Sequence, residues 1–207
     1  MQKKLSLCLV AAIALSGCQM NNTQKGATIG AISGALLGKA TGNHKNKRAV
    51  IGAAVGAIAG AAVGDYMDKQ EDQLRDELKD TGVGVHREGD ELRLDIPSEV
   101  TFDINRASIS PRFYPVLDDV ARVMKHYDRT YIVVEGHTDD TGAASYNLQL
   151  SQARAQTVKG YLTSQAIIPA RISTYGFGET RPKVPNSSKE NRRINRRVEI
   201  RIIPNEG

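Results

Sequence analysis

Glycine recurs at every fourth position in two runs of this chain, Gly26, Gly30, Gly34 and Gly38, then Gly52, Gly56, Gly60 and Gly64. A polar, basic stretch, TGNHKNKR at Thr41–Arg48, separates the runs, which read as two glycine-rich helices joined as a hairpin. An interior glycine costs a helix about 1 kcal/mol relative to Ala, so the eight together cost roughly 8 kcal/mol. Helix propensity cannot hold such segments. They become helical only where backbone packs closely on backbone, which Gly at i and i+4 permits and larger residues forbid.

The spacing resembles a glycine zipper. Gly26–Ala40 is 15 residues, about 22 Å as a helix against a hydrocarbon core of about 30 Å. Ala49–Gly64 is only slightly longer, and Lys39 and the Lys45–Arg48 cluster bound the apolar stretches. A hairpin lying on or dipping into a membrane fits these lengths, with a homo-oligomer through the glycine faces as a further expectation. The alternative is a soluble helical hairpin, or a segment that orders only on a partner.

Ahead of the glycines, Met1–Lys4 is basic and Leu5–Leu15 is apolar but short for a span, the layout of a signal peptide over residues 1–17. LSGC at Leu15–Cys18 resembles a bacterial lipobox, which implies lipidation at Cys18; an ordinary secretory peptide is the alternative. Stable anchoring needs more than one acyl chain, and lipoproteins of this type carry three. Cys8 would leave with the leader, so the mature chain offers no disulfide. Gln19 follows the cysteine where Asp would signal inner-membrane retention. The expected location is the outer membrane, facing the periplasm, with the inner membrane as the alternative. Net charge is +5, or +3 once Lys3 and Lys4 are gone. That surplus suits anionic headgroups and wall polymer. A nucleic-acid partner is excluded by the export signal and by an aromatic content of 5%, too little for a stacking platform.

After Gly64 the composition changes abruptly. Asp65–Asp80, DYMDKQEDQLRDELKD, has Met67, Leu74 and Leu78 as its main apolar positions, and Gly82 stops it. Residues 65–82 read as a charged helical spacer exposed to solvent, with too few heptads for a coiled coil.

Residues 83–207 carry the pattern of a folded domain. Val83–Arg87 and Leu92–Ile96 flank EGDE as a hairpin, with Leu92, Leu94 and Ile96 alternating. Ser110–Pro111 opens a helix whose face is Phe113, Leu117, Val120, Met124 and Tyr127, and Pro115 is tolerated near its start. Tyr131–Glu135 is a continuous apolar run, as in a strand covered on both faces. The next helix places Ala144, Leu148, Ser151, Ala155, Val158 and Leu162 on the stripe toward the sheet. Asn147, Leu150, Arg154 and Tyr161 lie on its flank. A strand at Arg171–Tyr175, a polar loop at Glu179–Ile194 and a last strand at Arg197–Ile203 close the domain. In the last strand Val198, Ile200 and Ile202 point one way and Arg197, Glu199 and Arg201 the other. The cluster Arg192, Arg193, Arg196, Arg197 and Arg201 reads as a solvated, edge-protecting face, or as a secondary contact with anionic polymer.

Two opposite charges, Asp139 and Arg154, bracket the loop and first turns of the long helix. An arginine fork suits a carboxylate because it makes two parallel hydrogen bonds. An Asp before a helix is commonly a cap or Asx-turn residue. A straight helix from Ala143 carries Arg154 about 16 Å along its axis, so the charges meet only if the loop His137–Gly142 folds back. Spacing alone leaves this open.

Four motifs in order answer it by resemblance: FDI at Phe102–Ile104, EGHTDDTGAASYNLQLSQAR at Glu135–Arg154, GFGETRP at Gly176–Pro182 and NRRVEI at Asn195–Ile200. Over roughly residues 83–203 the chain resembles the OmpA-like peptidoglycan-binding domain. The resemblance implies an α+β fold, a two-layer α/β sandwich of βαβαββ type with a small mixed sheet and helices on one face. It implies that Asp139 holds the ammonium and Arg154 the carboxylate of a diaminopimelate residue in the cell-wall stem peptide. Thr138, Asn147 and Leu150 would line the pocket, with Arg197 near it. The family is a binding module, so no enzyme activity or cofactor is expected, and His44, His86, His126 and His137 show no metal-ligand spacing. The order of segments resembles that of YiaD-type lipoproteins. The expected function is a tether between outer membrane and peptidoglycan that supports the envelope. The alternative is a membrane-active glycine-zipper oligomer merely positioned by the wall.

Overall fold

The computed structural model describes residues 62–102 and 106–205, all within one compact unit, Ala62–Gly207. The expected signal peptide, Cys18 and nearly all of the glycine hairpin lie outside the described residues.

Helix α1 covers residues 62–77. A hairpin follows, β1 (Gly84–Glu88) and β2 (Glu91–Pro97), then a single turn, α2 (Ser98–Thr101). A 3-10 turn at Pro111–Phe113 leads into α3 (Tyr114–His126), and β3 (Thr130–His137) precedes the long α4 (Ala144–Ser164). Strand β4 (Ile172–Gly178), helix α5 (Lys189–Asn195) and strand β5 (Arg197–Pro204) complete the unit. The sheet order is β1-β2-β5-β3-β4, antiparallel except for the β3–β4 pair that α4 bridges. The α+β class with a small mixed sheet is as expected. The order of elements is not βαβαββ: the hairpin comes first, and α5 forms inside the expected loop Glu179–Ile194, between β4 and β5. Ser188 caps α5, its Oγ accepting from the Asn191 N–H at 3.0 Å.

One face of the sheet makes the core. Leu92, Leu94 and Ile96 of β2, Ile132 and Val134 of β3 and Val198, Ile200 and Ile202 of β5 are buried against Leu117, Val120 and Met124 of α3 and Val158 and Leu162 of α4. The other face is covered only in part, so the reading of β3 as covered on both sides holds for its second half, where Glu135 and His137 are buried, and fails at its start. Tyr131 is 45% exposed and Tyr175 of β4 is 51% exposed, because α3 and α4 pack on the opposite face.

Helix α4 departs from its expected stripe at its N-terminal end. Leu148 is 50% exposed, while Asn147, Ser151 and Arg154 are buried. The cause is two glycines beneath it. A Cβ on Gly136 would sit 2.1 Å from the Ser151 carbonyl oxygen, and one on Gly176 would sit 2.5 Å from the Gln152 nitrogen. With backbone resting on backbone there, only small or flanking side chains fit under the first turns.

Helix α1 is no exposed spacer. Met67, Leu74 and Leu78 are buried in the core, and Gln70 is buried beside Met124, its amide 3.6 Å from the sulfur. Tyr66 packs edge-on against Tyr127 and accepts a hydrogen bond from the Arg129 N–H at 3.0 Å. The charged majority of the segment faces outward, and three apolar residues on one side suffice to dock it.

Candidate functional site

The loop after β3 folds back, as a meeting of the two charges requires. The Thr138 N–H donates to the Gly178 carbonyl at 2.9 Å, prolonging the β3–β4 pairing by a step. Asn147, one turn into α4, then staples the loop to the helix. Its amide lies 3.2 Å from the carbonyls of both Asp139 and Thr141, and 2.8 Å from Glu179 Oε2. Asp139 Oδ1 accepts from the Thr141 N–H at 2.9 Å, an Asx turn. The ordinary structural role of such an Asp and a functional one thus coexist in one side chain.

Thr138, Asp139, Asn147, Leu150 and Arg154 line one cleft of about 540 Å³, closed at its rim by Glu99, Phe102, Tyr146 and Arg196. Arg154 lies over the Phe102 ring, 5.0 Å from its centroid, and donates through Nε to the Arg106 carbonyl at 3.1 Å. Among the described residues no carboxylate forms an ion pair with it. Burial draws the guanidinium below its ordinary pKa, Arg196 acting the same way while Tyr146 and Asp139 oppose. Burial pushes the Asp139 carboxyl upward, but hydrogen bonds from Arg196 and Thr141 outweigh this and hold it below its usual value. The cleft therefore presents an ionised carboxylate and a guanidinium whose fork is engaged by no acid among the described residues.

Arg197 does not belong to this cleft; Arg196 does. The Arg197 side chain is buried on the sheet face opposite α3 and α4, with Nε 2.6 Å from Glu199 Oε1 and Nη1 3.1 Å from the Asn195 carbonyl. Arg196 Nη1 donates to Asp139 Oδ2 at 2.6 Å. A step of one residue reverses the face of a strand. The alternation of Val198, Ile200 and Ile202, extended back by two, places Arg196 on the helix side, so the signal was present in the sequence. Asn195, fully buried, anchors the chain just ahead of both arginines to the 183–186 loop. Its Oδ1 accepts from the Lys183 and Val184 N–H groups at 2.8 and 3.1 Å, and its Nδ2 donates to the Val184 carbonyl at 2.7 Å.

The sheet face opposite α3 and α4 gathers Glu135, His137 and Glu199, all buried, whose possible ligand atoms lie within 4.8 Å of one another. Register builds this cluster, since Glu135 pairs with Glu199 and His137 with Arg197 across β3 and β5. Arg197 engages Glu199, and Arg201 lies 3.4 Å from Glu135, so two guanidiniums balance the two carboxylates. His137 is buried and stacked on Phe177, and its pKa falls from 6.5 to about 4. Burial is the main cause. Arg197 and Arg181 act in the same direction, against Glu199 and Asp95. Because the folded value is depressed, the unfolded chain binds the extra proton between pH 6.5 and 4, and stability falls with acid in that window. The expected loss is about 3 kcal/mol. Urea midpoints measured across the window should show it, and His137→Gln should flatten the curve; parallel curves for the two proteins would refute it.

Comparison with known proteins places these features. Residues 101–196 match the profile of the OmpA family, and residues 1–68 match that of the YMGG-like Gly-zipper. The chain is 43% identical over 135 residues to the probable lipoprotein YiaD of Escherichia coli (strain K12), an alignment covering 65% of this chain and 62% of that relative. It thus spans less than two thirds of that relative's length. Among solved structures, the cell wall anchor of the T6SS from Pseudomonas aeruginosa superposes with a TM-score of 0.60 at 32% identity, covering 65% of this chain and 96% of the other. A putative MotB-like protein from Desulfovibrio vulgaris gives a TM-score of 0.62 at 27% identity, covering 69% and 96%.

Proposed function

We propose, on the premise that this chain belongs to the OmpA family through residues 101–196, that it is a structural lipoprotein of the envelope, not an enzyme, and binds peptidoglycan non-covalently. The ligand group is the zwitterionic amino-acid end of diaminopimelate in the stem peptide. Its carboxylate pairs with the Arg154 fork and its ammonium with Asp139, while Thr138, Asn147 and Leu150 shape the walls. The observation that carries this reading is the meeting of Asp139 and Arg154 in one cleft, both 5% exposed and of opposite charge. An α-amino acid carries the complementary pair of charges on one carbon, and a partly desolvated site strengthens both contacts. Lipidation at Cys18 would hold the chain in the outer membrane on its periplasmic side. With the cleft on the wall, the protein becomes a tether. The match of residues 1–68 to the YMGG-like Gly-zipper favours an additional homo-oligomeric contact near the membrane.

The test is co-sedimentation of the unit 62–207 with purified sacculi. Wild type is expected in the pellet, and free meso-diaminopimelate in excess should release it. Asp139→Ala and Arg154→Ala should stay in solution, with binding weakened at least about tenfold and circular dichroism spectra unchanged. Wild type in the supernatant, or folded variants pelleting equally well, would rule the pocket out.

A further inference from the structure

In the free protein the group proposed to receive the ligand's ammonium is already taken. Asp139 Oδ1 is held by the Thr141 N–H at 2.9 Å and Oδ2 by Arg196 Nη1 at 2.6 Å. A carboxylate has room for about four hydrogen bonds, so lone pairs are not the obstacle. Charge is. Arg196 neutralises Asp139, and an arriving ammonium would share that one carboxylate with a second cation. Arg196 has another acid within reach, because its Nη2 donates to Glu99, on α2 across the cleft mouth. Glu99 also meets Arg193 Nε at 3.1 Å and stands partly exposed at the rim. The guanidinium therefore bridges an inner carboxylate in the cleft and an outer one at its edge, using a different nitrogen for each.

We infer that Arg196 is a specificity-determining residue: it stands in for the ligand ammonium on Asp139 in the free cleft and retires onto Glu99 when that ammonium arrives. This rests on the proposed diaminopimelate reading and adds to it. A ligand carrying only a carboxylate can reach Arg154 but leaves Arg196 on Asp139. A ligand carrying both charges exchanges one cation for another at Asp139 while Arg196 keeps its outer partner. Cationic ligands without a carboxylate gain too little to drive the exchange. The bridge thus filters for a zwitterion, and the two arms of Arg196 act in opposite senses. Cutting the guanidinium frees Asp139 for the ligand. Cutting Glu99 removes the resting place and fastens Arg196 to Asp139.

Calorimetric titration of the full-length protein with meso-diaminopimelate, and separately with pimelate, which lacks both amino groups, tests this. Arg196→Gln is expected to bind diaminopimelate about threefold to fivefold tighter and to gain nothing for pimelate. Glu99→Gln is expected to bind diaminopimelate about threefold more weakly. Arg196→Lys, which keeps the charge but has no fork to span two acids, should fall between wild type and Arg196→Gln, and it covers the case in which the glutamine variant is unfolded by circular dichroism. Weaker diaminopimelate binding by both Arg196 variants would make Arg196 a direct ligand contact and overturn the proposal. Unchanged binding in all variants would do so as well. Wild type that binds no diaminopimelate would defeat the underlying reading and this inference with it. Wild type that binds normally beside variants of the wrong sign would defeat this inference alone.

Discussion

Gly136→Ala is expected to destabilise the unit by about 3 kcal/mol or more and to empty the cleft at the same time. The added methyl would lie 2.1 Å from the Ser151 carbonyl oxygen, a backbone atom of α4 that no rotamer change can move. Either β3 bends or the first half of α4 lifts. Both responses separate Asp139, at the end of β3, from Arg154, on α4. Gly176→Ala should behave alike, its methyl meeting the Gln152 backbone at 2.5 Å. The internal control is Gly160→Ala on the exposed side of the same helix, where nothing lies within 4 Å. There the smaller backbone entropy of Ala should stabilise by about 0.5–1 kcal/mol. Urea unfolding of the three variants, with sacculus retention as second readout, checks the contrast; a Gly136→Ala protein as stable as wild type would refute the close approach.

A fragment starting at residue 83 is expected to be far less stable than one starting at residue 62. The first lacks α1 and leaves uncovered the surface that Met67, Leu74 and Leu78 bury. Leu74→Ala alone should cost about 2–5 kcal/mol, the range for truncating a fully buried leucine. For a domain of this size that lowers the thermal midpoint by roughly 10 °C. Removal of the whole helix should exceed this and leave a chain that unfolds without a sharp transition. Thermal melts of both fragments and of Leu74→Ala settle the point. Equal midpoints would mean that α1 sits on the domain without supporting it. The result bears on practice, since a wall-binding assay on the shorter fragment would confuse instability with loss of the site.

Much of the fold was legible because it follows local periodicity. The alternation in β2 and β5 and the apolar face of α3 each came from a window of a few residues. What failed was non-local. Helix α1 looked solvated because its charges outnumber its three core positions, and only the partner surface on α3 shows that three are enough. Leu148 looked inward by helical period, and the glycines that deny it space lie on two other strands. The Glu135–His137–Glu199 cluster exists only through the β3–β5 register. At the cleft, both the zwitterion reading and the meeting of Asp139 with Arg154 came from resemblance, since residue types alone pointed to an Asx turn and a local ion pair. The Asn147 staple supplies a physical reason for the meeting. The choice of Arg197 over Arg196 was an error of one residue in a strand whose parity was already in hand.

Strand β5, the latest of the described strands in sequence, is the middle of the sheet, with β2 on one side and β3 on the other. Until it has been synthesised, the β1–β2 hairpin and the β3–α4–β4 unit have no edge in common, and the core that Val198, Ile200 and Ile202 fill stays open. Contacts this distant in sequence form late and slowly. A nascent chain is thereby kept from closing prematurely, a useful property if residues 1–17 act as the expected signal peptide and the chain crosses a translocation channel as an unfolded thread.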